Sequence, residues 1–223
     1  GYRLATNNYS TAYNDSLGIE KLQKYASLFG LNERTGIEIE EAAPQIANEF
    51  PVMAAIGQSN NNYTTVQLAR YVTAVANEGT VYQYTLLNRL EDSDGNVLQT
   101  FEPQVRNQID VLDTEEWNAI HSGMRMVVEN TKEFDGFPIE AAGKTGTAQQ
   151  NLKRPNHALF VGYAPYDDPE ISIATRIAYG YTSHNAAKLA RNVFAYYFNV
   201  ENEDELLNGQ AANGNSSSNE ISD

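Results

Sequence analysis

Four consecutive residues, Lys144, Thr145, Gly146 and Thr147, have types and an order that could perform recognisable chemistry. They lie in a segment that predicts a β-strand. Lys144 can supply a positive charge and both threonines can donate hydroxyl hydrogen bonds, a combination that suits a carboxylate. The absent side chain at Gly146 would let a peptide backbone approach the strand edge. Taken alone, the same residues also fit a solvated strand lysine followed by a glycine in a β-bulge.

Other reactive side chains form weaker patterns. The chain has no cysteine, which excludes thiolate metal sites, cysteine nucleophiles and disulfides. His121, His157 and His184 are scattered without metal-ligand spacing, so no metal and no cofactor are predicted. For His157, which begins a predicted strand, a structural role is favoured over a supporting polar role at the site. The pair Asp167-Asp168 precedes Pro169 and indicates a solvated turn.

Composition limits the classes of function. The 223 residues carry a formal net charge of -14 without a basic patch, which argues against nucleic-acid binding. The hydrophobic fraction of 41% allows one sizeable core. No apolar run approaches the roughly 20 residues that span a bilayer. Residues 1–198 are predicted to form one body, and the acidic, Asn- and Ser-rich residues 199–223 are predicted to be a disordered tail.

The periodicity of apolar residues predicts helices around an antiparallel sheet, an α/β (α+β) fold. Apolar stripes indicate helices over 17–29, ending near Gly30, and over 185–198. Two further helices begin at the capping boxes Thr64/Gln67 and Asp113/Glu116. The helical faces are predicted to consist of Leu17, Leu22, Ala26 and Phe29; Val66, Ala69, Val72 and Val75; Trp117, Ile120, Met124 and Val127; and Ala187, Ala190, Val193, Phe194 and Tyr197. Strands are predicted over 139–148, 158–163 and 171–178, with a hairpin of 82–90 and 97–101 around Asp94-Gly95.

The motifs together resemble a known family. Lys-Thr-Gly is the third signature of the serine penicillin-recognising enzymes, whose other two are Ser-x-x-Lys and Ser-x-Asn. Further segments follow the order seen in class B penicillin-binding proteins: Ile56-Gly57-Gln58, Thr64-Thr65-Val66-Gln67-Leu68-Ala69, Gly123-Met124, and His157-Ala158-Leu159-Phe160-Val161-Gly162-Tyr163-Ala164-Pro165. Residues 1–198 therefore resemble the C-terminal part of the transpeptidase domain, and look most similar to the elongation-type peptidoglycan D,D-transpeptidases. This resemblance implies part of a transpeptidase and serine β-lactamase-like fold.

The resemblance also implies an activity: acyl transfer from the D-alanyl-D-alanine end of a peptidoglycan stem peptide, with β-lactams as mimics of that end. Lys144 and Thr147 would be catalytic, the latter through its backbone N–H in the oxyanion hole, and residues 144–147 would bind the substrate. The implied partners of the full-length protein are a cell-wall glycosyltransferase and elongation-complex proteins. The implied location is the extracytoplasmic face of the bacterial cytoplasmic membrane, with any anchor outside this sequence.

The nucleophile of that chemistry is missing. No serine is followed three residues later by lysine, and the family's Ser-x-Asn motif would fall just before Gly1. The chain alone is therefore predicted to be inactive and to form no covalent adduct with penicillin. Ser59-Asn60-Asn61 and Ser183-His184-Asn185 imitate Ser-x-Asn, but are interpreted as a polar loop and as helix N-cap chemistry.

Two alternatives remain beside this hypothesis. A serine β-lactamase or β-lactam-sensor domain would share Lys-Thr-Gly, although the Gln-Leu-Ala and Gly123-Met124 segments favour a transpeptidase. A non-catalytic module that binds cell-wall peptide or a partner protein would need no nucleophile at all.

Overall fold

A computed structural model describes residues 19–202 and Leu206. Within them the α-helices are Ile19–Leu28 (α1), Pro51–Ala54 (α2), Thr65–Ala76 (α3), Thr114–Glu129 (α4) and Ser183–Tyr197 (α5). The strands are Thr80–Gln83 (β1), Arg89–Glu91 (β2), Val97–Thr100 (β3), Gln104–Gln108 (β4), Ala142–Ala148 (β5), His157–Ala164 (β6) and Ile171–Ile177 (β7). Leu17 of the first predicted stripe and most of the predicted tail lie outside the described residues.

The main sheet is antiparallel in the order β5-β6-β7, with helices on both faces. On one face Phe160 packs against Phe134, with ring centroids 5.7 Å apart, and against Phe194 of α5. On the other face Tyr163 lies with Val72 of α3 in a second apolar cluster. This arrangement confirms the predicted fold class. The three predicted strands are present, although β5 begins at Ala142 rather than at residue 139.

Helix α5 lies close to the sheet because its buried face is built mainly from alanines. Ala186, Ala187 and Ala190 are fully buried there, and Phe194 fills the space near the end of the helix. The predicted face was partly wrong, since Val193 and Tyr197 are 37% and 49% exposed. The buried face of the helix also includes Ala186 and Ala195, so it is centred further round the helix than predicted. Val193 and Tyr197 therefore lie at the edge of that face.

Helix α3 begins at the predicted capping box, in which Thr64 and Gln67 exchange hydrogen bonds. Its buried face also holds two polar side chains that the periodicity missed. Arg70 donates to the backbone carbonyls of Gly30, Glu33 and Arg34, and Gln67 donates to that of Glu33. These bonds satisfy carbonyls at and after the end of α1, which would otherwise be costly to bury.

A separate antiparallel hairpin, β2-β3, surrounds the predicted Asp94-Gly95 turn, where the Asp92 carboxylate accepts from the Asp94 and Asn96 amides. The single predicted strand over 82–90 was wrong. β1 ends at Gln83 and pairs with β4 instead, and just after it the Glu38 carboxylate accepts hydrogen bonds from the Thr85 hydroxyl and the Leu86 amide.

Helix α4 begins at its predicted capping box, formed by Asp113 and Glu116. Trp117 on its predicted face is buried, and so is Val128, while the remaining three residues of that face are half-buried. None of the helices in the described part of the chain is long and apolar enough to cross a membrane.

Candidate active-site strand and cavity

Strand β5 places residues 144–147 at an edge of the main sheet. β6 pairs with one side of β5, and no strand among the described residues pairs with its other side. The strand begins inside the core, where Ala142 and Gly143 are buried, and emerges so that Lys144 and Thr147 are exposed. The four residues are therefore accessible, while the buried beginning of the strand holds their backbone in place.

The strand alternation separates the cation from the hydroxyls. Lys144 and Gly146 lie on the face of the sheet that carries Leu159, whereas Thr145 and Thr147 lie on the face that carries Phe160. Cation and hydroxyls can therefore share one ligand only at the free edge of the strand. The Lys144 ammonium already reaches that edge, since its Nζ donates to the Thr145 carbonyl oxygen at 2.7 Å.

Gly146 is neither in a bulge nor in a strained conformation. The β5-β6 register runs without a shift from Ala142↔Tyr163 to Ala148↔His157, so the β-bulge interpretation was wrong. A Cβ atom built on Gly146 would lie 3.4 Å from the Leu159 Cβ, an ordinary contact. Packing within the described chain therefore does not require glycine at this position.

A cavity of about 790 Å³ opens beside the end of β5. Its walls come from α1, from α3 and the loop before it, and from the strand ends. They include Phe29, Tyr71, Ser59, His157 and Arg176. The Phe29 and Tyr71 rings meet edge to face with centroids 5.3 Å apart. Sequence reasoning missed this cavity because its walls are far apart in the chain.

His157 closes the sheet end of the cavity and is held by two hydrogen bonds. Its Nδ1 accepts from the Tyr179 backbone N–H at 3.1 Å, and its Nε2 lies 3.3 Å from Gln150 Oε1. This pattern assigns the proton to Nε2. Burial and the positive charge of Arg176 lower the pKa of His157. His157 pairs with Ala148 in the register, so it lies at the end of β5 and not beside Lys144.

The remaining sequence candidates have structural contacts. Ser59 lies in the polar loop before α3 and donates to the Glu49 carbonyl. His121 Nε2 contacts the Val75 carbonyl oxygen at 2.8 Å. Thr182, and not Ser183, is the N-cap of α5. The Asp167-Asp168 pair is exposed between β6 and β7, as predicted for a solvated turn.

Comparison with known proteins identifies the protein family to which this fold and strand motif belong. Residues 3–195 match the family model of the penicillin binding protein transpeptidase domain. The chain belongs to the penicillin-binding protein transpeptidase family.

Individual relatives show which members of the family the chain is similar to. The chain is 33% identical over 227 residues to the peptidoglycan D,D-transpeptidase MrdA of Haemophilus influenzae, covering 86% of this chain and 34% of that protein. It is therefore close to the MrdA-type elongation transpeptidases over the C-terminal part of the domain. The chain spans about a third of the length of the curated relatives it matches.

Solved structures agree with this assignment. Penicillin-binding protein 2B of Streptococcus pneumoniae strain R6 superposes with a TM-score of 0.72 at 25% identity, covering 82% of this chain and 33% of that one. A chain from a peptidoglycan synthase complex, solved to show the structural coordination of polymerization and crosslinking, also gives a TM-score of 0.72 at 25% identity, with 90% and 37% covered.

Proposed function

We propose that this chain is the substrate-binding part of a serine-type D,D-transpeptidase, which cross-links peptidoglycan stem peptides and is acylated by β-lactams. The observation that carries the proposal is the accessible sequence Lys-Thr-Gly-Thr, in which Lys144 and Thr147 are exposed, on a free strand edge beside a cavity. A free edge can bind an extended peptide as an added strand. Family membership and the similarity to MrdA support the same activity.

In this proposal each position of the motif has its own task. The Lys144 ammonium supplies positive charge for the substrate's terminal carboxylate, and the Thr145 and Thr147 hydroxyls orient it. Backbone groups of alternate residues point to the same side of a strand, so Thr145 and Thr147 share one side. The Thr147 N–H donates to the oxyanion that develops during acyl transfer. Gly146 leaves the substrate backbone room to approach.

The serine nucleophile and its lysine base must come from residues outside this sequence, which has no Ser-x-x-Lys. We therefore propose that the chain alone is inactive. For the complete protein we propose a location at the extracytoplasmic face of the cytoplasmic membrane, with a cell-wall glycosyltransferase and elongation-complex proteins as partners. The similarity to a chain of a synthase complex that coordinates polymerization and crosslinking supports a glycosyltransferase partner.

Acylation of the complete protein by a fluorescent penicillin tests the proposal. Lys144→Ala removes the cation and should slow acylation about a hundredfold to a thousandfold, the usual effect of losing one transition-state contact. Thr147→Val removes one hydroxyl but keeps the backbone N–H, so it should slow acylation only about twofold to tenfold. Parental rates in Lys144→Ala would overturn the proposed role of the motif.

Two further measurements address the chain alone and the β-lactamase alternative. Intact-mass spectrometry of the 223-residue chain after incubation with excess penicillin should show no adduct. An adduct on Ser59 or any other serine would contradict the assignment of the nucleophile to residues outside it. In the complete protein the penicilloyl ester should persist, whereas its rapid hydrolysis would indicate a β-lactamase.

A further inference from the structure

One side chain, that of His157, connects the ends of all three strands of the main sheet. His157 is the first residue of β6 and pairs with Ala148, the last residue of β5. Its Nε2 lies 3.3 Å from Oε1 of Gln150, two residues beyond β5. Its Nδ1 accepts from the backbone N–H of Tyr179, two residues beyond β7, at 3.1 Å. We call these three residues, His157, Gln150 and Tyr179, the His157 clamp.

The His157 clamp requires one protonation state of the imidazole. Nδ1 can accept from the Tyr179 N–H only while it carries no proton, so the ring proton lies on Nε2 and faces Gln150. The His157 residue is only 8% exposed, and the Tyr179 ring lies beside it with centroids 5.0 Å apart. A second proton would set two N–H donors against each other at Nδ1. The hydrogen bonds of the clamp therefore exist only with neutral His157.

Tyr179 is held in the clamp in a strained conformation. Its φ of 56° carries an energetic penalty for a residue other than glycine. Its hydroxyl accepts from Arg154 Nη1 at 2.6 Å and donates to Gln150 Oε1 at 3.3 Å. Strain of this kind persists where surrounding contacts fix the residue. The contacts to His157, Gln150 and Arg154 supply that restraint next to the end of β5.

The end of β5 needs such a restraint because little else holds it. Residues 144–147 are exposed or half-buried, and only β6 pairs with them among the described strands. Thr147 pairs with Ala158, one position from the pair formed by Ala148 and His157. A backbone donor that stabilises an oxyanion must be held within about 0.5 Å of its productive position. The His157 clamp fixes the chain directly after that donor.

We propose that His157 is a positioning residue for acyl transfer: in its neutral form it holds the end of β5, and with it the backbone N–H of Thr147, in place. The proposal rests on the proposed function, in which this N–H donates to the oxyanion. His157 acts through Ala148 and Gln150 and does not touch the substrate. Protonation of His157 should release the Tyr179 N–H and loosen the end of the strand.

The groups around His157 keep it neutral near pH 7. From β7, Arg176 places Nη2 3.5 Å from both ring nitrogens, and Arg154 adds a second positive charge beyond Tyr179. Among the described residues, no carboxylate forms an ion pair with His157. Burial and the charge of Arg176 lower the pKa of His157 below its ordinary value of 6.5. The clamp is therefore intact above pH 6.5 and is lost as the pH falls through the folded pKa.

Acylation of the complete protein by a fluorescent penicillin, measured from pH 7.5 to 5.5, tests this role. His157→Ala removes the clamp and should slow acylation about tenfold to a hundredfold, the cost of a small misplacement near the reacting atoms. His157→Gln places an amide N–H where Nε2–H lies, so it should keep most of the rate at pH 7.5. The ratio of the parent rate to the His157→Gln rate should then fall below pH 6.5, because this imidazole titrates only in the parent. Groups that both proteins share cancel in the ratio.

Two further variants separate positioning from stability. Thr175→Val removes a buried hydrogen bond from the opposite face of the same sheet, and should leave acylation unchanged. Gln150→Ala removes the acceptor of the Nε2 proton from an exposed position and should slow acylation. This variant tests the clamp even where His157→Ala does not fold. Urea denaturation at pH 7.5 shows how much stability each variant has lost.

The outcomes distinguish this role from the proposed function. Parental rates in folded His157→Ala or in Gln150→Ala overturn the positioning role, and so does an equal slowing in Thr175→Val. A constant ratio between pH 7.5 and 5.5 overturns the requirement for neutral His157. In the same assay Lys144→Ala reports on the proposed function. Its expected loss, together with parental rates in the clamp variants, overturns the positioning role alone, whereas absence of acylation in the parent overturns both.

Discussion

The two halves of strand β5 are governed by different constraints. In the inner half, residues 142–143, both residues are buried, and Gly143 faces Gly162 across the sheet with the Phe160 ring covering the pair. In the outer half, residues 144–147, the side chains are exposed or half-buried, and Gly146 has room for a Cβ atom. Packing therefore requires glycine at position 143 and does not require it at position 146.

This difference shows how one strand can serve both the core and a site. The inner half makes the contacts that fix the position and register of the strand, so its residues are determined by packing. The outer half inherits that position and contributes little packing of its own. In the proposed function its residue types reflect the substrate that binds at the edge.

The largest effect on stability is expected for Gly143→Ala. A Cβ atom there would overlap the Phe160 ring and lie 2.8 Å from the Val161 carbonyl oxygen. Overpacking of this kind destabilises by about 1–3 kcal/mol, more than the gain from restricting the unfolded chain, about 0.4–1 kcal/mol. Urea denaturation of the parent and the variant measures the difference.

A double-mutant cycle identifies the contact responsible. In a Phe160→Leu background, the ring that Gly143→Ala would overlap is absent, so the same substitution should destabilise less. Equal losses in both backgrounds would mean that the Phe160 ring is not what requires glycine at position 143.

A smaller loss of stability is expected for Thr175→Val. Thr175 pairs with Phe160, so the two side chains share one face of the main sheet. The buried Thr175 hydroxyl donates to the Ala186 carbonyl of α5 at 3.0 Å. Removing one such hydrogen bond should lower the free energy of unfolding by about 0.5–1.5 kcal/mol. Thr100→Val in the exposed strand β3 is the control, with a change within about 0.5 kcal/mol. Equal effects of the two substitutions would argue that the α5 contact adds no stability.

The fold could be predicted where the signal is local. The capping boxes of Thr64 and Asp113 and the apolar strand segments β6 and β7 were found because neighbouring residues carry the pattern. β4 was missed since its residues, Gln104–Gln108, are mostly polar and exposed, and only pairing with distant β1 makes them a strand. The burial of Arg70 was missed because its partners are carbonyls about 40 positions away.

Like the fold, the candidate site could be predicted from the sequence only where its signal is local. Residues 144–147 stood out because their chemistry and their strand are both local, and their proposed roles stay predictions. The cavity and the contacts of Arg176 depend on segments brought together by folding. One signal was present in the sequence, since Arg176 is the only charged residue in the otherwise uncharged strand Ile171–Ile177. The structure leaves this side chain exposed, so its charge is solvated.

His157, which pairs with Ala148 at the end of β5, should make the stability of the chain depend on pH. Its pKa in the folded chain lies below the ordinary value of 6.5, so the unfolded chain binds this proton more readily. The contribution of His157 is fully present above pH 6.5 and is lost as the pH falls towards its folded pKa. His157→Gln should therefore show a flatter stability profile than the parent between pH 7.5 and 5.5, measured by urea denaturation. Identical slopes would show that His157 is not protonated differently in the two states.

The smallest effect on stability, and the sharpest test of the comparison, is expected for Gly146→Ala. The new methyl group would touch Leu159 at an ordinary 3.4 Å, so the free energy of unfolding should fall by no more than about 0.5 kcal/mol. The same methyl group would stand on the sheet face next to the proposed substrate strand and crowd its side chains, so binding of a D-alanyl-D-alanine peptide should weaken measurably. A stability loss as large as that of Gly143→Ala would show that both glycines serve packing and would remove the distinction between the two halves. Parental stability together with parental peptide binding would leave the distinction in packing intact, but would show that the substrate does not need the space at Gly146.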